Sequence, residues 1–207
     1  MKLVSTAEMQ QVEREADANG LSYEMMMEHA GSGLAEQADS HYRALREAGV
    51  VGLVGSGNNG GDTLVALAKM AEWGWKATAY IVRARAEIDP LVERLRSSGG
   101  VVIDGAGDEK QKVLKGLLKD HAVLMDGILG TGISLPLRGS VKDVLGAMKK
   151  SLSKREEKLA ILAVDCPSGV DCDSGEAAQE CLAADLTVTM AAVKQGLLRF
   201  PAVSYTH

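Results

Sequence analysis

The stretch Gly57-Asn58-Asn59-Gly60-Gly61-Asp62 puts glycines, two amide side chains and a carboxylate into one turn, which narrows the chemistry open to it. Gly55, Gly57 and Gly60 fit G-x-G-x-x-G, where the missing side chains let backbone N–H groups approach a phosphate at a helix N-terminus. Asn58, Asn59 and Asp62 add more side-chain oxygens than a pyrophosphate needs. An anionic Asp62 in the first helical turn favours the helix dipole and disfavours a phosphate beside it. The turn therefore suits a polar ligand or a cation as well as a phosphate. Two further stretches share this character: Asp126-Gly127-Ile128-Leu129-Gly130-Thr131-Gly132 and Asp165-Cys166-Pro167-Ser168-Gly169-Val170-Asp171. Each also has a plainer reading, Asp126 as a cap of the turn that follows it and Asp165-x-Pro-Ser as an Asx turn. Such hard oxygen donors suit an alkali or alkaline-earth cation. A carboxylate in a glycine-lined crevice can act as a general acid or base. No Gly-x-Ser-x-Gly turn, histidine pair or Cys/His arrangement offers a nucleophile or a transition-metal site.

These loops need elements to hold them. Val50 to Val54 is an apolar run of strand length, and Leu64, Leu67, Ala68 and Ala71 recur at helical spacing after the glycines. Strand and helix patterns then alternate. Strands are expected at Ala77 to Val82, Val101 to Ile103, Ala122 to Met125, Leu159 to Val164 and Asp185 to Met190. Asp89-Pro90 reads as N-cap and first residue of a short helix. A helix from about Asp108 should bury Val113, Leu114, Leu117 and Leu118. Another, capped by Ser140-x-x-Asp143, should turn Val141, Val144, Leu145 and Met148 to the sheet. This alternation predicts an α/β fold, Rossmann-like and doubly wound, with a mostly parallel sheet of order 3-2-1-4-5 plus an edge strand. The strands preceding the three loops are neighbours in that order. Their C-terminal ends flank the topological switch point, so Asn58, Asn59, Asp126, Thr131, Asp165 and Ser168 should share one crevice.

Ahead of the first strand, Ser5-x-x-Glu8 has the spacing of a capping box and opens a helix with Met9, Val12 and Ala16 on one face. A second helix from about Ser22 should face Met26, Met27, Ala30 and Leu34 inward. Met25-Met26-Met27 could form an adaptable binding surface, but its helical spacing favours core packing. Residues 1–207 read as one domain, a helical extension over 1–45 and an α/β core over 46–207. The 46% apolar and 25% charged content is that of an ordinary globular chain. With 23 basic and 28 acidic residues the net charge is −5, and no basic cluster offers a nucleic-acid face. Cys166, Cys172 and Cys181 are odd in number and lack C-x-x-C spacing, which points to a reducing compartment. Met1 to Gln10 shows no apolar signal core and no run approaches a membrane span, so a cytoplasmic location is expected.

The three loops together resemble the NAD(P)H-hydrate epimerase family, also called the YjeF N-terminal domain, in order and in residues. Met26-Met27-Glu28-His29-Ala30-Gly31 is similar to that family's opening helix. The resemblance runs nearly the whole chain and implies an isomerase. Such enzymes interconvert the R and S forms of NADHX and NADPHX, damaged cofactors with a hydroxyl on C6 of the reduced ring. It implies a potassium ion held by Asn59, Asp126 and Ser168. The substrate would contact Asn58, Asn59, Gly60, Gly61, Asp62, Gly130, Thr131, Gly132, Ile133, Ser134, Leu135, Pro136 and Asp165. Asp165 is the expected catalytic group, and a separate NAD(P)HX dehydratase the functional partner. Thr63 departs from the family's usual glycine and is expected to crowd the first loop. Ala192-Val193-Lys194-Gln195-Gly196 matches a late family segment only loosely. The sequence stops at Tyr205-Thr206-His207, where the resemblance leads one to expect about one further strand of roughly five residues. The apolar N-terminal helices fit either a cover for the sheet or a homodimer interface.

Two other classes compete. A non-catalytic nucleotide-binding or scaffold protein of the same fold should lose the loop carboxylates, whereas Asp62, Asp126 and Asp165 are all present. An NADP-dependent oxidoreductase would use Arg83 or Arg85 for a 2′-phosphate, but the sequence offers no evident hydride-transfer partner.

Overall fold

The computed structural model describes residues 2–207. A two-residue strand β1 (Leu3–Val4) leads into helices α1 (Thr6–Ala18) and α2 (Tyr23–Tyr42). The α/β part follows as β2 (Val50–Val54), α3 (Asn58–Glu72), β3 (Ala77–Ile81), α4 (Pro90–Ser97) and β4 (Val101–Asp104). It continues with α5 (Lys112–Asp120), β5 (Val123–Gly127), α6 (Gly139–Leu152), β6 (Ala160–Val164), β7 (Leu186–Val188) and β8 (Val193–Lys194). Six strands form one sheet in the order β4-β3-β2-β5-β6-β7, every neighbouring pair parallel. That is the order expected from the sequence, edge strand included.

The sheet is covered on both faces, which is why β2, β3 and β5 are buried at every position and mostly apolar rather than alternating. Leu34 of α2, Leu64 and Leu67 of α3 and Leu95 of α4 pack into one core. Leu114 and Leu118 of α5, with Val141, Leu145 and Met148 of α6, pack into the other. Helix α2 lies close on α3, since a Cβ on Gly31 would stand 2.5 Å from the Val65 side chain. Its far end is tied down by Asp39, whose Oδ1 accepts a hydrogen bond from Trp75 Nε1 at 2.9 Å. Strand β1 pairs parallel with β8, Leu3 opposite Val193 and Val4 opposite Lys194. Thr6 N–H donates to Asp173 Oδ1 at 2.8 Å.

Several local expectations hold. Ser5 and Glu8 form the reciprocal capping box of α1. Asp89 caps α4 by accepting from Leu91 N–H, with Pro90 first in the helix. Others need correction. Helix α5 begins at Lys112, because Lys110 and Gln111 take left-handed backbone at φ 58° and 52°. Asp108 caps it from a distance, accepting from the N–H groups of Val113 and Leu114 at 2.9 Å each. Val113 then points outward, 47% exposed, and only Leu114 and Leu118 of the four expected residues are fully buried. Ser140 is not the cap of α6. The helix starts at Gly139, at φ 59°, with Arg138 before it and no side-chain cap bond. The buried Leu137 anchors the chain there, and a left-handed glycine lets it turn into the helix at once.

Candidate active site

The loops after β2, β5 and β6 meet at the C-terminal edge of the sheet. Gly55 must be glycine there, because a Cβ would lie 1.9 Å from the Ile128 carbonyl oxygen. At Gly60 a Cβ would lie 2.1 Å from the Gly55 carbonyl oxygen, so the first turn of α3 sits hard against the end of β2. The loops are also hydrogen-bonded together. Asn59 Nδ2 donates to Leu129 O at 3.0 Å and to Val164 O at 2.6 Å. Ser168 N–H donates to Asp126 Oδ2 at 2.8 Å, and Leu129 N–H to Ser168 Oγ at 3.0 Å. Asn59, Asp126 and Ser168, scattered in sequence, are therefore one interlocked unit.

Within that unit Asp126 is 1% exposed, and its second oxygen, Oδ1, has no hydrogen-bond partner. Burial pushes its carboxyl above the usual range, against the stabilising bonds from Ser168. A buried, unpartnered carboxylate oxygen is costly unless something positive or hydrogen-bonding reaches it. Asn59 uses its amide nitrogen on the two carbonyls, which leaves Oδ1 as a donor atom toward Gly130. Among the described residues no group of three or more His, Cys, Asp or Glu is arranged to hold a metal ion. The oxygens here come instead from one amide, one carboxylate, one hydroxyl and backbone carbonyls, a set fitted to a hard, weakly charged cation.

Thr63 does not crowd the loop. Its Oγ1 donates to Asn59 O at 2.7 Å, and its side chain fills space left by Gly52 and Gly127. A Cβ on Gly127 would stand 1.9 Å from Thr63 Oγ1. The residue is paired with glycines on the neighbouring strands.

Asp165 ends β6 in left-handed backbone at φ 64°, an uncommon conformation for a residue with a side chain. It persists because the structure holds it on several sides. Its N–H donates to Val188 O at 2.9 Å and its Oδ1 accepts from Met190 N–H at 2.8 Å. Lys194 Nζ, only 1% exposed as a residue, donates to the same Oδ1 and to Met190 O at 3.0 Å. No role for Lys194 follows from the sequence, where its segment matches a late family motif only loosely. A buried lysine is rarely found without a paired anion, and that rule was the one signal available for it.

Beside these loops α1, α2 and the end of β7 enclose an open cavity of about 520 Å³. Met9, Val12, Met26 and Met27 form its apolar wall, and Asn58 and Asp62 its polar end. The preference for Met26 and Met27 as core is thus corrected. They are half-buried, face the cavity, and keep helical spacing because a binding wall on a helix has the same period as a core face. Val12, on the apolar face expected of α1, is 43% exposed for the same reason. Glu13 of α1 also lines the cavity and was not foreseen. Gly61 packs under Met27, 2.6 Å from its sulfur if a Cβ were added. Gly130 abuts Asn59, but Thr131 to Pro136 run half-buried or exposed and take no part in the cavity lining. Arg85 is not free for a phosphate, since it donates to Asp89 Oδ2 at 2.6 Å and to Gly55 O at 2.8 Å.

Comparison with known proteins agrees with this geometry. Residues 23–196 match the family model described as YjeF-related protein N-terminus. The NAD(P)H-hydrate epimerase of Clavibacter michiganensis is 37% identical over 180 residues, covering 85% of this chain and 75% of that protein. The NAD(P)H-hydrate epimerase of Cenarchaeum symbiosum is 33% identical, with 94% and 87% covered. The bifunctional NAD(P)H-hydrate repair enzyme of Thermofilum pendens is 33% identical across 97% of this chain, which spans only 38% of that enzyme's length. The crystal structure of yeast ynu0 superposes with a TM-score of 0.82 at 22% identity, over all of this chain and 85% of the yeast chain. The fold, the loop order and the extent of these matches lead to one conclusion: the chain belongs to the YjeF-related protein N-terminus family.

Proposed function

We infer that the protein is an NAD(P)H-hydrate epimerase, an isomerase that interconverts the R and S forms of NADHX and NADPHX. The observation that carries this reading is the convergence of Asp62, Asp126 and Asp165 on one crevice beside an apolar cavity large enough for a substituted ring. A scaffold has no use for three buried carboxyls in one crevice, one of them lining a cavity. An oxidoreductase would use Arg83 or Arg85 and a hydride-transfer partner; Arg85 is already bonded to Asp89 and Gly55, and the sequence offers no evident partner.

The substrate's C6 bears both the ring nitrogen and a hydroxyl, so it is a hemiaminal. Once the hydroxyl is protonated, the nitrogen lone pair can expel it as water, and water can return to the other face. The toolkit needed is an acid, a base and an oriented ring, without redox or nucleophilic groups. Asp165, held by Lys194 and Met190, would exchange protons with the substrate. Asn58 to Asp62 and the loop from Gly130 to Pro136 are the proposed contacts to the dinucleotide. Asn59, Asp126 and Ser168 would hold a potassium ion, whose charge would offset the unpartnered Asp126 oxygen and stiffen the three loops. The S epimer would pass to an NAD(P)HX dehydratase.

Chiral chromatography of a single NADHX epimer, with and without protein, tests the reading. Acceleration over the spontaneous exchange is expected, larger with potassium than with a bulky organic cation. No acceleration by folded protein overturns the epimerase reading, and equal acceleration in both salts overturns the ion site.

A further inference from the structure

Asp62, which lines the cavity, and Asp165, in the loop beside it, have opposite surroundings. Asp165 is ion-paired with Lys194 and accepts a backbone N–H from Met190. Asp62, in the first turn of α3, is 7% exposed, lines the cavity and has no hydrogen-bond partner among the described residues. The nearest ammonium, Lys194, is already bound to Asp165. Glu13 of α1 lines the same cavity and brings a third carboxyl to a place with one cation. The other titratable groups lining it are His29 and Tyr23, both exposed and both on α2. Three buried or half-buried carboxyls against one ammonium retain a proton near neutrality, and it rests on the group with the least stabilised anion. Burial first, then the charges of Asp165 and Glu13, push Asp62 up to about 7, with Lys194 opposing. Burial likewise raises Glu13. An unpartnered carboxyl that keeps its proton, beside a second carboxyl already bound to an ammonium, offers an acid and a base to one substrate.

We propose that Asp62 is the catalytic acid that protonates the departing hydroxyl, that Asp165 is the opposing base, and that Glu13 is a positioning residue that keeps the proton on Asp62. The proposal rests on the epimerase reading. The proton moves from the Asp62 carboxyl to the C6 hydroxyl oxygen. The C6–O bond breaks, water leaves with that bond's electron pair, and the ring nitrogen's lone pair forms a C6=N bond. A second water adds to C6 from the other face, the nitrogen regains its pair, and the excess proton goes to Asp165. Solvent in the open cavity returns that proton to Asp62, so one epimer plus water gives the other epimer plus water.

The test is the pH–rate profile of epimer exchange, corrected for the spontaneous reaction, in the wild-type chain and in D62N, E13Q and H29N. An acid works only while protonated, so the wild-type rate should fall as pH rises through about 7. D62N should lose that fall and drop the plateau about 100-fold or more. E13Q removes a negative neighbour, so the fall should move to lower pH by about half a pH unit while the low-pH plateau persists. A purely structural role for Glu13 would lower the rate at every pH and leave the limb where it was. H29N should leave the limb in place. A limb that survives in D62N, stays fixed in E13Q or follows His29 overturns the proposal. Carbon-13 NMR titration of the Asp62 carboxyl reads the proton directly, whether or not D62N folds. Titration near 7, lowered in E13Q, supports the proposal, and titration in the ordinary carboxylate range overturns it. A wild-type protein that accelerates exchange at no pH overturns the epimerase reading instead, and the NMR result still says where the proton resides.

Discussion

The crevice has a dry side and a wet side, built on different principles. On the dry side Asn59, Asp126 and Ser168 are locked to one another and to backbone carbonyls, and glycines bring the three loops into contact. On the wet side Asp62 and Glu13 share an open cavity with half-buried methionines. The dry side fixes positions, and little there can move without breaking a buried hydrogen bond. The wet side has room and flexible apolar side chains, so it can accept a ring in more than one orientation. An epimerase must bind both hands of one substrate, and this division supplies a rigid frame next to an adaptable wall.

The largest effect should come from the residue that joins the two sides. Asp165→Asn keeps the size of the side chain and removes its ability to take a proton. Turnover should fall by about 100- to 10,000-fold, while binding of the intact dinucleotide, followed by calorimetry, stays within a few-fold. Unchanged turnover would remove Asp165 from the chemistry.

The dry side was the more legible half in sequence. Its residues sit directly after apolar strands, and the order of those strands follows from strand–helix alternation, so Asn59, Asp126 and Ser168 could be placed in one crevice without coordinates. The wet side was legible only in part. The spacing of Met26 and Met27 says that one face of α2 is apolar, but not whether that face meets a core or a cavity. Lys194 lies on a strand whose partner, β1, is at the other end of the sequence, and no local pattern announces such a pairing. Helix α5 started late because Lys110 and Gln111 adopt left-handed backbone that their residue types do not advertise.

A frame built on close approach should tolerate no added atoms. Gly55→Ala would place a methyl 1.9 Å from a backbone oxygen, and backbone cannot rotate away. A loss of about 3 kcal/mol or more is expected in urea unfolding. A loss under about 1 kcal/mol would show the frame to be softer than described.

Stability away from the crevice should depend on Asp39. Hydrogen bonds from Trp75, Arg43 and Arg46 hold its carboxyl at about 2, below its ordinary value of 3.8. Its contribution is therefore present above pH 3.8 and is lost as pH falls through about 2. Asp39→Asn should cost about 2 kcal/mol at pH 7, and the gap from wild type should narrow in unfolding measurements repeated toward pH 2. A gap independent of pH would contradict the charged pairing.

The smallest effect on folding belongs to the wet side. Val12→Ser should change stability by less than about 0.5 kcal/mol, yet raise KM for the epimer exchange with kcat nearly unchanged. A large loss of stability would mean that α1 is part of the core, and the contrast between the two sides would fail.

One small pairing carries a practical consequence. Leu3 and Val193 stand about 190 positions apart in sequence and next to each other in space, and the following register places Val4 beside Lys194. The opening of the chain is thus spliced to the strand that delivers the ammonium to Asp165, and α1, with Glu13, hangs from the same splice. A fusion to the first few residues, or their removal, should therefore disturb the strand pair that carries Lys194. For anyone producing this protein, the placement of an affinity tag is already an experiment on the Lys194–Asp165 pair.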